Sequence, residues 1–504
     1  MKAELVVDVL VVGSGNAALV AALSALRQGC SVLVIEKGPE SLAGGNTRYT
    51  AGAMRFAYDS VADLLPLMAD PSDPRVETAD FGSYPQAQFA DDLLRFNDGA
   101  ALTAEQEVLV AESLPTIQWL ADAGLKFEPI WDRQSFEHNG RRVFWGGLTL
   151  AASGEGDGLF QDERELVLRH GGNIRYETEM VDLITDERDG QLAVSGVVTD
   201  TGERIHARSV VLACGGFEAD ETQRVTHLGP HWARAKVRGT PLNVGTGLRV
   251  ARQAGAADYG HYQNCHATPM DLHMANYGNL DLPPLERKHY RKICYFLGVM
   301  LNADGNRFVD EGSDFRNYTY AQFGRAILEQ PGGFAWQIFD AKATDLLYAE
   351  YSFHDASFIE SDDLDDLVGR LDGVDAEQAR HTLRAFNAAV DETVPFDPSV
   401  LDGKSTIGLD PPRSNWARTI DTPPFRAYPV TGGITFTYGG LRVDDTGRVL
   451  QADGAPIPGL FACGELVGGV FVNGYPGGSG LTSGAVFGRR AGDGAAAHVA
   501  AQPG

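Results

Sequence analysis

Residues 8–38 read DVLVVGSGNAALVAALSALRQGCSVLVIEKG, and the order of residue types in this stretch decides the fold. Residues 9–12 form a run rich in valine, which is typical of a buried parallel strand. Residues 16–28 are rich in alanine and leucine and predict a helix, with Gly29 placed to cap it. Residues 31–35 predict a second buried strand. The stretch therefore predicts a strand–helix–strand unit of a parallel sheet.

The turn between the first strand and the helix has the pattern of a dinucleotide-binding loop. Gly13 permits the tight turn, Gly15 lets backbone amides approach a pyrophosphate at the helix N-terminus, and Ala18 lets helix and strand pack closely. Glu36 ends the second strand roughly 20 residues after the glycines, where a carboxylate can accept hydrogen bonds from a ribose. An ordinary turn without a ligand is the alternative, but the complete strand–helix–strand context favours a dinucleotide site.

The length, net charge and cysteine content of the chain limit which classes of protein it can belong to. A chain of 504 residues is too long for one simple core, so two or more domains are expected. The net charge of −26 argues against a nucleic-acid or anionic-membrane partner. The sequence has no signal-peptide pattern and no apolar run of about 18 residues, so we expect a cytoplasmic protein without a membrane span. The five cysteines are scattered and form no CxxC, which argues against haem, iron–sulfur or zinc sites and predicts no bound metal.

Further glycine clusters follow along the chain. Each one alone is typical of a turn. They are GGNTRYTAGAM (44–54), ARSVVLACGGFEA (207–219), GLFACGELVGG (459–469) and YPGGSGLTSGAVFGRRAG (475–492). Together, and in this order, they resemble the FAD-binding segments of the fumarate reductase/succinate dehydrogenase flavoprotein superfamily.

The resemblance implies an α/β fold with a Rossmann-like FAD-binding domain and an inserted α+β capping domain. The FAD-binding domain would comprise residues 1–260 and 435–504, with the cap at 261–434 and the substrate between them. Covalently flavinylated relatives carry a histidine in the second glycine cluster, and residues 44–54 contain none, so the FAD is expected to be non-covalent. The implied cofactor-binding residues are Gly13, Gly15, Asn16, Ala17, Ala18, Glu36, Lys37, Gly44, Gly45, Asn46, Thr47, Gly52, Met180, Val181, Ala213, Gly215, Gly216, Gly464, Glu465, Ser479, Gly480 and Leu481.

Flavin chemistry on a C–C bond needs an acid or base beside the hydride-accepting cofactor and a group that polarises a carbonyl. The motif NCHATP resembles the family's histidine stretch at the cap entrance and implies that His266 contacts the substrate. Residues 301–320 resemble the segment that carries the proton-transferring arginine, which implies Arg316, although strict spacing would select Phe315. Tyr318 and Tyr320 are the next candidates for this role. A core histidine and a surface arginine are the alternative interpretations.

Two positions depart from the fumarate reductases. Thr435 and Phe436 stand where a second histidine is expected, and Tyr475 stands where a carboxylate-binding arginine is expected. The Tyr-Pro-Gly run resembles 3-ketosteroid dehydrogenases, in which a tyrosine and a nearby backbone amide polarise a ketone oxygen, as an oxyanion hole does. Tyr475 is therefore a further catalytic candidate, and Thr435 a substrate-binding one.

The closest overall resemblance is to the tricarballylate dehydrogenases, carried by stretches such as RRVFWGG and NGYPGGSGLTSGAVFGR. It implies oxidation of a tricarboxylate to its unsaturated product. Such a substrate requires arginines to offset the desolvation of its charges. Arg141 and Arg142, beside Phe144 and Trp145, are the first choice, with Arg55 next. The other arginine candidates are Arg48, Arg238 and Arg316.

Several functions remain open at this point. The first is an FAD-dependent dehydrogenase acting on a small polycarboxylate, and the second is one acting on a ketone of the 3-ketosteroid type. The third is the flavoprotein component of a cobalamin-pathway monooxygenase, and the simplest is an FAD-binding module without turnover. For an enzyme, the expected partners are a small-molecule substrate and a separate electron acceptor, such as a protein, a quinone or a dye.

Overall fold

The quoted stretch forms the centre of the larger sheet. In the computed structural model, the described residues are 5–138, 140–188, 191–278, 280, 282–283, 290–353 and 355–502. Their strands are β1 Leu5–Val12, β2 Val32–Ile35, β3 Ala53–Met54, β4 Phe127–Pro129, β5 Ser135–His138, β6 Arg141–Phe144, β7 Leu150–Ala152, β8 Asn173–Arg175, β9 Met180–Arg188, β10 Gln191–Thr199, β11 Arg204–Leu212, β12 Lys236–Val237, β13 Asp258–Asp271, β14 Val299–Leu301, β15 Phe334–Phe339, β16 Ile359–Ser361, β17 Phe425–Leu441, β18 Arg448–Leu450 and β19 Pro456–Ala462. Their α-helices are Asn16–Arg27, Val61–Leu64, Pro74–Thr78, Gln86–Leu94, Ala104–Ala123, Trp131–Gln134, Glu155–Arg169, Glu221–Leu228, Thr246–Gln253, Arg316–Leu328, Ala341–Thr344, Leu364–Gly369, Ala376–Ala389 and Ser479–Ala501.

The larger sheet has the order β18-β19-β11-β1-β2-β8, and the hairpin of β9 and β10 joins it at β11. The pairs formed by β1, β2, β8, β11 and β19 are parallel, as the valine-rich runs predicted. The helices Asn16–Arg27 and Ser479–Ala501 pack closely against each other, since a Cβ at Gly488 would lie 2.6 Å from the carbonyl oxygen of Ala17. The predicted strand–helix–strand unit is confirmed.

A second sheet has the order β12-β17-β15-β14, with β13 and β16 also paired to the long strand β17. The helix Arg316–Leu328 lies directly against its backbone. A Cβ at Gly324 would lie 2.5 Å from the backbone nitrogen of Thr268, and a Cβ at Gly432 would lie 2.2 Å from the carbonyl oxygen of Gly324. These glycines therefore fix the height of the helix above the sheet, and with it the position of Arg316.

The domain division predicted at residues 260 and 434 stays a prediction. Residue 260 lies within β13 and residue 434 within β17, and β12 already pairs with β17. The second sheet therefore begins before residue 260. In the part of the chain that the structure describes, no helix has the length and apolar character needed to cross a membrane.

Candidate active site

A cavity of about 540 Å³ extends from the carboxyl ends of β1, β2 and β11 to the second sheet and the helix Arg316–Leu328. The carboxyl ends of parallel strands are where α/β proteins bind ligands. At the other end, the walls come from β13, β17 and the segment around Arg133. The cavity therefore joins the glycine loops of the larger sheet to the elements of the second sheet.

The first glycine loop has the geometry of a pyrophosphate cradle. Gly13 has φ +109°, and a Cβ there would lie 2.4 Å from the carbonyl oxygen of Ala213, so only glycine fits. The Asn16 amide at the start of the first helix donates to Thr47 Oγ1 at 2.9 Å. Glu36 accepts from Ser14 Oγ at 2.5 Å and from the Gly38 amide at 2.8 Å, so its carboxylate is fixed on the cavity wall. These residues fit the ADP half of a dinucleotide.

Most of the predicted cofactor residues line this cavity. They are Gly13, Gly15, Asn16, Ala17, Glu36, Lys37, Gly45, Asn46, Thr47, Met180, Ala213, Gly215, Gly464, Glu465, Gly480 and Leu481. The remaining six do not line the cavity: Ala18, Gly44, Gly52, Val181, Gly216 and Ser479. Gly44, for example, donates its amide to Ser14 Oγ at 2.9 Å, and Ser479 donates its hydroxyl to the Pro476 carbonyl at 2.6 Å.

A buried pair of glutamates connects the cofactor segments to β17. Glu465 Oε1 accepts from the Thr437 amide at 2.6 Å and from its hydroxyl at 2.9 Å. Glu218 Oε1 accepts from Asn46 Nδ2 at 2.6 Å, and the same nitrogen donates to the Thr435 carbonyl at 2.6 Å. Burial, and then the charge of Glu465, raise the pKa of Glu218 well above its ordinary value, so Glu218 is protonated. Through these hydrogen bonds the pair holds β17 against the cofactor segments.

The opposite end of the cavity is lined by four arginines, Arg133, Arg238, Arg291 and Arg316. Arg291 Nη2 donates to Glu350 Oε1 at 2.5 Å. Arg133 Nη2 donates to Glu155 Oε1 at 2.5 Å and lies 3.9 Å from Glu350 through Nη1. Burial opposes ionisation of Glu350, but Arg291 and Arg133 outweigh it and lower the Glu350 pKa to about 2. Two of the four positive charges are thus compensated by carboxylates.

The other two arginines have no carboxylate partner among the described residues. Arg316 Nε donates to Tyr348 Oη at 2.6 Å, and its Nη2 donates to the Arg133 carbonyl at 2.9 Å. Arg238 donates to the Tyr49 carbonyl at 2.8 Å. Burial, and then repulsion from Arg291, lower the pKa of Arg238 to about 9. This end of the cavity is therefore electropositive and suited to an anion.

His266 and two tyrosines complete this end of the cavity. The His266 ring stacks on Phe436 at 5.1 Å and meets the edges of Tyr320 at 5.0 Å and Tyr475 at 4.9 Å. Burial, and then the charge of Arg238, hold the pKa of His266 well below its ordinary value, so the imidazole is neutral. Its Nδ1 has no hydrogen-bond partner in the described part of the chain.

The hydroxyl of Tyr475 is oriented by its neighbours. Its oxygen accepts from the Tyr320 hydroxyl at 2.9 Å and from the Gly478 amide at 3.0 Å. Both lone pairs of the oxygen are then used, so its own proton is free to be donated into the cavity. Tyr475 can therefore polarise a carbonyl or carboxylate oxygen.

Of the remaining predicted catalytic and substrate-binding residues, Thr435 lies on the cavity wall and the others do not. Arg141 and Arg142 are exposed on β6 and, among the residues that the structure describes, donate only to backbone carbonyls. Tyr318 donates to buried Asp92 at 2.8 Å. Arg55 is buried behind the wall, where it donates to the Gly477 carbonyl at 2.8 Å and supports the loop that follows Tyr475.

Thr435 lines the cavity, and its hydroxyl accepts from Arg238 at 3.4 Å. Sequence reasoning missed Arg133, Arg291 and Glu350, and considered Tyr320 only as a reserve. The one available signal was a pair of cations, Arg291 and Lys292, directly before the buried run 293–297. In the described residues, no group of histidine, cysteine, aspartate or glutamate side chains could hold a metal.

A protein-family model described as "FAD binding domain" matches residues 8–481. The chain belongs to this FAD-binding family. Over 495 residues, it is 27% identical to the fumarate reductase (cytochrome) of Shewanella frigidimarina, covering 97% of this chain and 77% of that protein. Over 567 residues, it is 29% identical to the 4-oxocyclohexanecarboxylate 2-dehydrogenase of Sinomonas cyclohexanicum, covering 98% and 96%.

The solved structure of an open conformation of a flavocytochrome c3 fumarate reductase superposes with a TM-score of 0.71 at 25% identity, covering 98% of this chain and 79% of that one. The predicted Rossmann-like FAD domain with a cap is confirmed. The predicted cofactor and enzyme class are confirmed as well: this member of the FAD-binding family is an FAD-dependent dehydrogenase or reductase acting on CH–CH groups.

Proposed function

We propose that this flavoprotein oxidises or reduces the C–C bond α,β to a carboxylate of a small polycarboxylate, tricarballylate or a compound like it. The observation that carries the proposal is the cavity itself, which joins the FAD segments to the buried Arg238, Arg291 and Arg316 and the half-buried Arg133. A small polyanion would need such a cluster, because each buried carboxylate loses its hydration. FAD, when bound, supplies a hydride acceptor or donor for one carbon.

The chain's own residues would handle the proton on the neighbouring carbon. Arg316 is the candidate, since it lines the cavity and begins a helix whose height is fixed by Gly324. Burial opposes its charge, yet the Tyr348 hydroxyl leaves the pKa of Arg316 raised, so the guanidinium is positively charged. Neutral His266 would donate its N–H to an oxygen of the substrate, without adding charge.

A second candidate function is the dehydrogenation of an oxo-carboxylate. The specific observation is the Tyr475 hydroxyl, whose oxygen already accepts from Tyr320 and Gly478 and whose proton is left for a ligand. Such a donor suits a ketone oxygen as well as a carboxylate oxygen. A relative that matches 98% of this chain bears the name 4-oxocyclohexanecarboxylate 2-dehydrogenase, a substrate with one ketone and one carboxylate.

The FAD is proposed to be bound non-covalently, because the second glycine cluster contains no histidine. Acid precipitation should then leave the yellow colour in the supernatant, whereas colour retained in the pellet would contradict this. The electrons are proposed to leave through a separate acceptor, a protein or a small molecule.

Anaerobic absorbance spectroscopy of the holoenzyme tests the proposed function. The panel comprises tricarballylate, succinate, 4-oxocyclohexanecarboxylate and a neutral 3-ketosteroid, and the unsaturated counterparts are added to the reduced enzyme. We expect at least one carboxylate to bleach the flavin band, or its unsaturated form to restore it. A response confined to the neutral steroid would exclude both proposed substrate classes.

A further inference from the structure

Two arginines on the cavity wall each keep one N–H group without a partner. Arg238 and Arg291 are 6% and 8% exposed, and the Nε of each has no hydrogen-bond partner among the described residues. A buried guanidinium N–H left unpaired is unfavourable, so unpaired groups of this kind are rare in stable structures. Both side chains line the cavity, so an anion bound there would offset their positive charge and the cost of burying it.

The rest of each guanidinium is held in place. Arg238 donates through Nη2 to the Tyr49 carbonyl at 2.8 Å and through Nη1 to Thr435 Oγ1 at 3.4 Å. Arg291 donates through Nη2 to Glu350 at 2.5 Å. Neither side chain therefore has to be ordered when a ligand binds, which favours affinity.

The charges at this end of the cavity limit how many anionic groups fit. Arg291 is compensated by Glu350 and Arg133 by Glu155, whereas Arg238 and Arg316 have no carboxylate partner in the described residues. Two uncompensated positive charges match a ligand with two negative charges. A third carboxylate would have to remain at the solvent side or be protonated.

We propose that Arg238 and Arg291 form a subsite for one carboxylate, distinct from Arg316. The substrate would place near Arg316 its second carboxylate, or a carbonyl whose oxygen becomes negative as it enolises. This inference rests on the proposed function, since it narrows the substrate class of the same site. It assigns a binding role to Arg291, for which no expectation arose from the sequence.

Ligand binding to the oxidised holoenzyme tests the subsite without turnover. The probes are succinate, with two charges, and its monoamide succinamate, with one, and binding is followed by the shift of the flavin absorption band. Wild type should bind succinate at least tenfold more tightly than succinamate. Arg238→Gln and Arg291→Gln should each weaken succinate binding tenfold or more and reduce this preference.

Three controls sharpen the measurement. Arg384→Gln removes an exposed charge that is 71% accessible and should leave both dissociation constants unchanged. Arg238→Lys keeps the charge but loses the Nε–H, so its succinate affinity should fall between wild type and Arg238→Gln. FAD content and thermal stability identify a variant that has lost the fold, in which case the other arginine variant supplies the result.

Two results would overturn the subsite: succinate affinity unchanged in both glutamine variants, or no succinate binding by wild type. If the panel bleaches the flavin while the variants bind succinate normally, the proposed function stands and the subsite fails. If succinate binding depends on both arginines but no panel member reacts, the subsite stands and the proposed function fails.

Discussion

At the scale of single residues, the chemistry depends on how each donor is held. Arg316 is fixed by Tyr348 and by the Arg133 carbonyl, which leaves the rest of its planar guanidinium toward the cavity. Arg316→Lys should keep FAD and stability but lower turnover by about 10²-fold or more, because a flexible point charge replaces a fixed fork. Steady-state kinetics with FAD content as the control checks this. Near wild-type turnover would move the proton-transfer role to another residue, with Tyr320 the first to examine.

Tyr475 is the residue that separates ketone from carboxylate chemistry. Tyr475→Phe removes a hydroxyl that Tyr320 and Gly478 orient toward the cavity. We expect a loss of about 10²-fold in kcat for an oxo-carboxylate, as for removal of one oxyanion-stabilising donor. Tyr58→Phe, which removes a buried hydroxyl outside the cavity, is the matched control. An oxo-carboxylate turned over equally well by both variants would show that Tyr475 does not polarise the ketone.

The sequence identified residues whose role follows from local order and missed those that tertiary structure assembles. Gly13 and Glu36 were predictable because one strand–helix–strand unit contains both. Arg133, Arg291 and Glu350 come from three separate segments, and no spacing in the sequence relates them.

Arg141 and Arg142 show the opposite limit of sequence reasoning. Their aromatic neighbours made them the first choice for binding the substrate, but the strand β6 buries Phe144 and leaves both arginines exposed. Adjacency to buried aromatic residues thus gave no information on which face of the strand the charges occupy.

At the scale of elements, the helix Arg316–Leu328 is positioned by glycine contacts with the second sheet. Gly324→Ala would place a Cβ 2.5 Å from the backbone nitrogen of Thr268 and push the helix away. We expect a destabilisation of about 1–3 kcal/mol, as for overpacked cores, together with reduced turnover because Arg316 moves. Gly369→Ala, whose Cβ would meet only the end of the Arg380 side chain, is the control for thermal denaturation. Equal melting temperatures for the two variants would contradict this account of the helix position.

The helix Glu155–Arg169 carries a buried acid that gives stability a pH dependence. Neither oxygen of Glu163 has a hydrogen-bond partner in the described residues, and burial raises its pKa well above the ordinary value. In the unfolded chain the Glu163 pKa is about 4.3. Between that pH and the folded pKa, the folded protein therefore binds one more proton than the unfolded chain. As the pH rises through this interval, the free energy of unfolding should decrease by up to about 1.4 kcal/mol per pH unit.

Glu163→Gln should remove this contribution. Melting temperatures between pH 5.5 and 8 should fall less steeply for this variant than for wild type, while exposed Glu165→Gln should follow wild type. Parallel curves for wild type and Glu163→Gln would mean that the buried carboxyl is not the source.

At the scale of the whole molecule, two sheets bring together what neither holds alone. The parallel sheet supplies the FAD segments, and the second sheet with its helix supplies Arg238, His266 and Arg316. The α/β class and the FAD site could be predicted because the glycine segments recur along the chain in a fixed order. The substrate end could not, because its charge balance depends on pairings such as Arg291 with Glu350 that only the folded chain creates.

The central claim is that this cavity presents the C–C bond of an anion, not of a neutral compound, to the flavin. Stopped-flow absorbance of the anaerobic holoenzyme tests it most directly. Tricarballylate is compared with its trimethyl ester, and 4-oxocyclohexanecarboxylate with its methyl ester. The account predicts that an acid that bleaches the flavin does so at least about 100-fold faster than its neutral ester at equal concentration, because the ester forfeits charge-assisted hydrogen bonds. A neutral ester that bleaches the flavin as fast as the acid would contradict it.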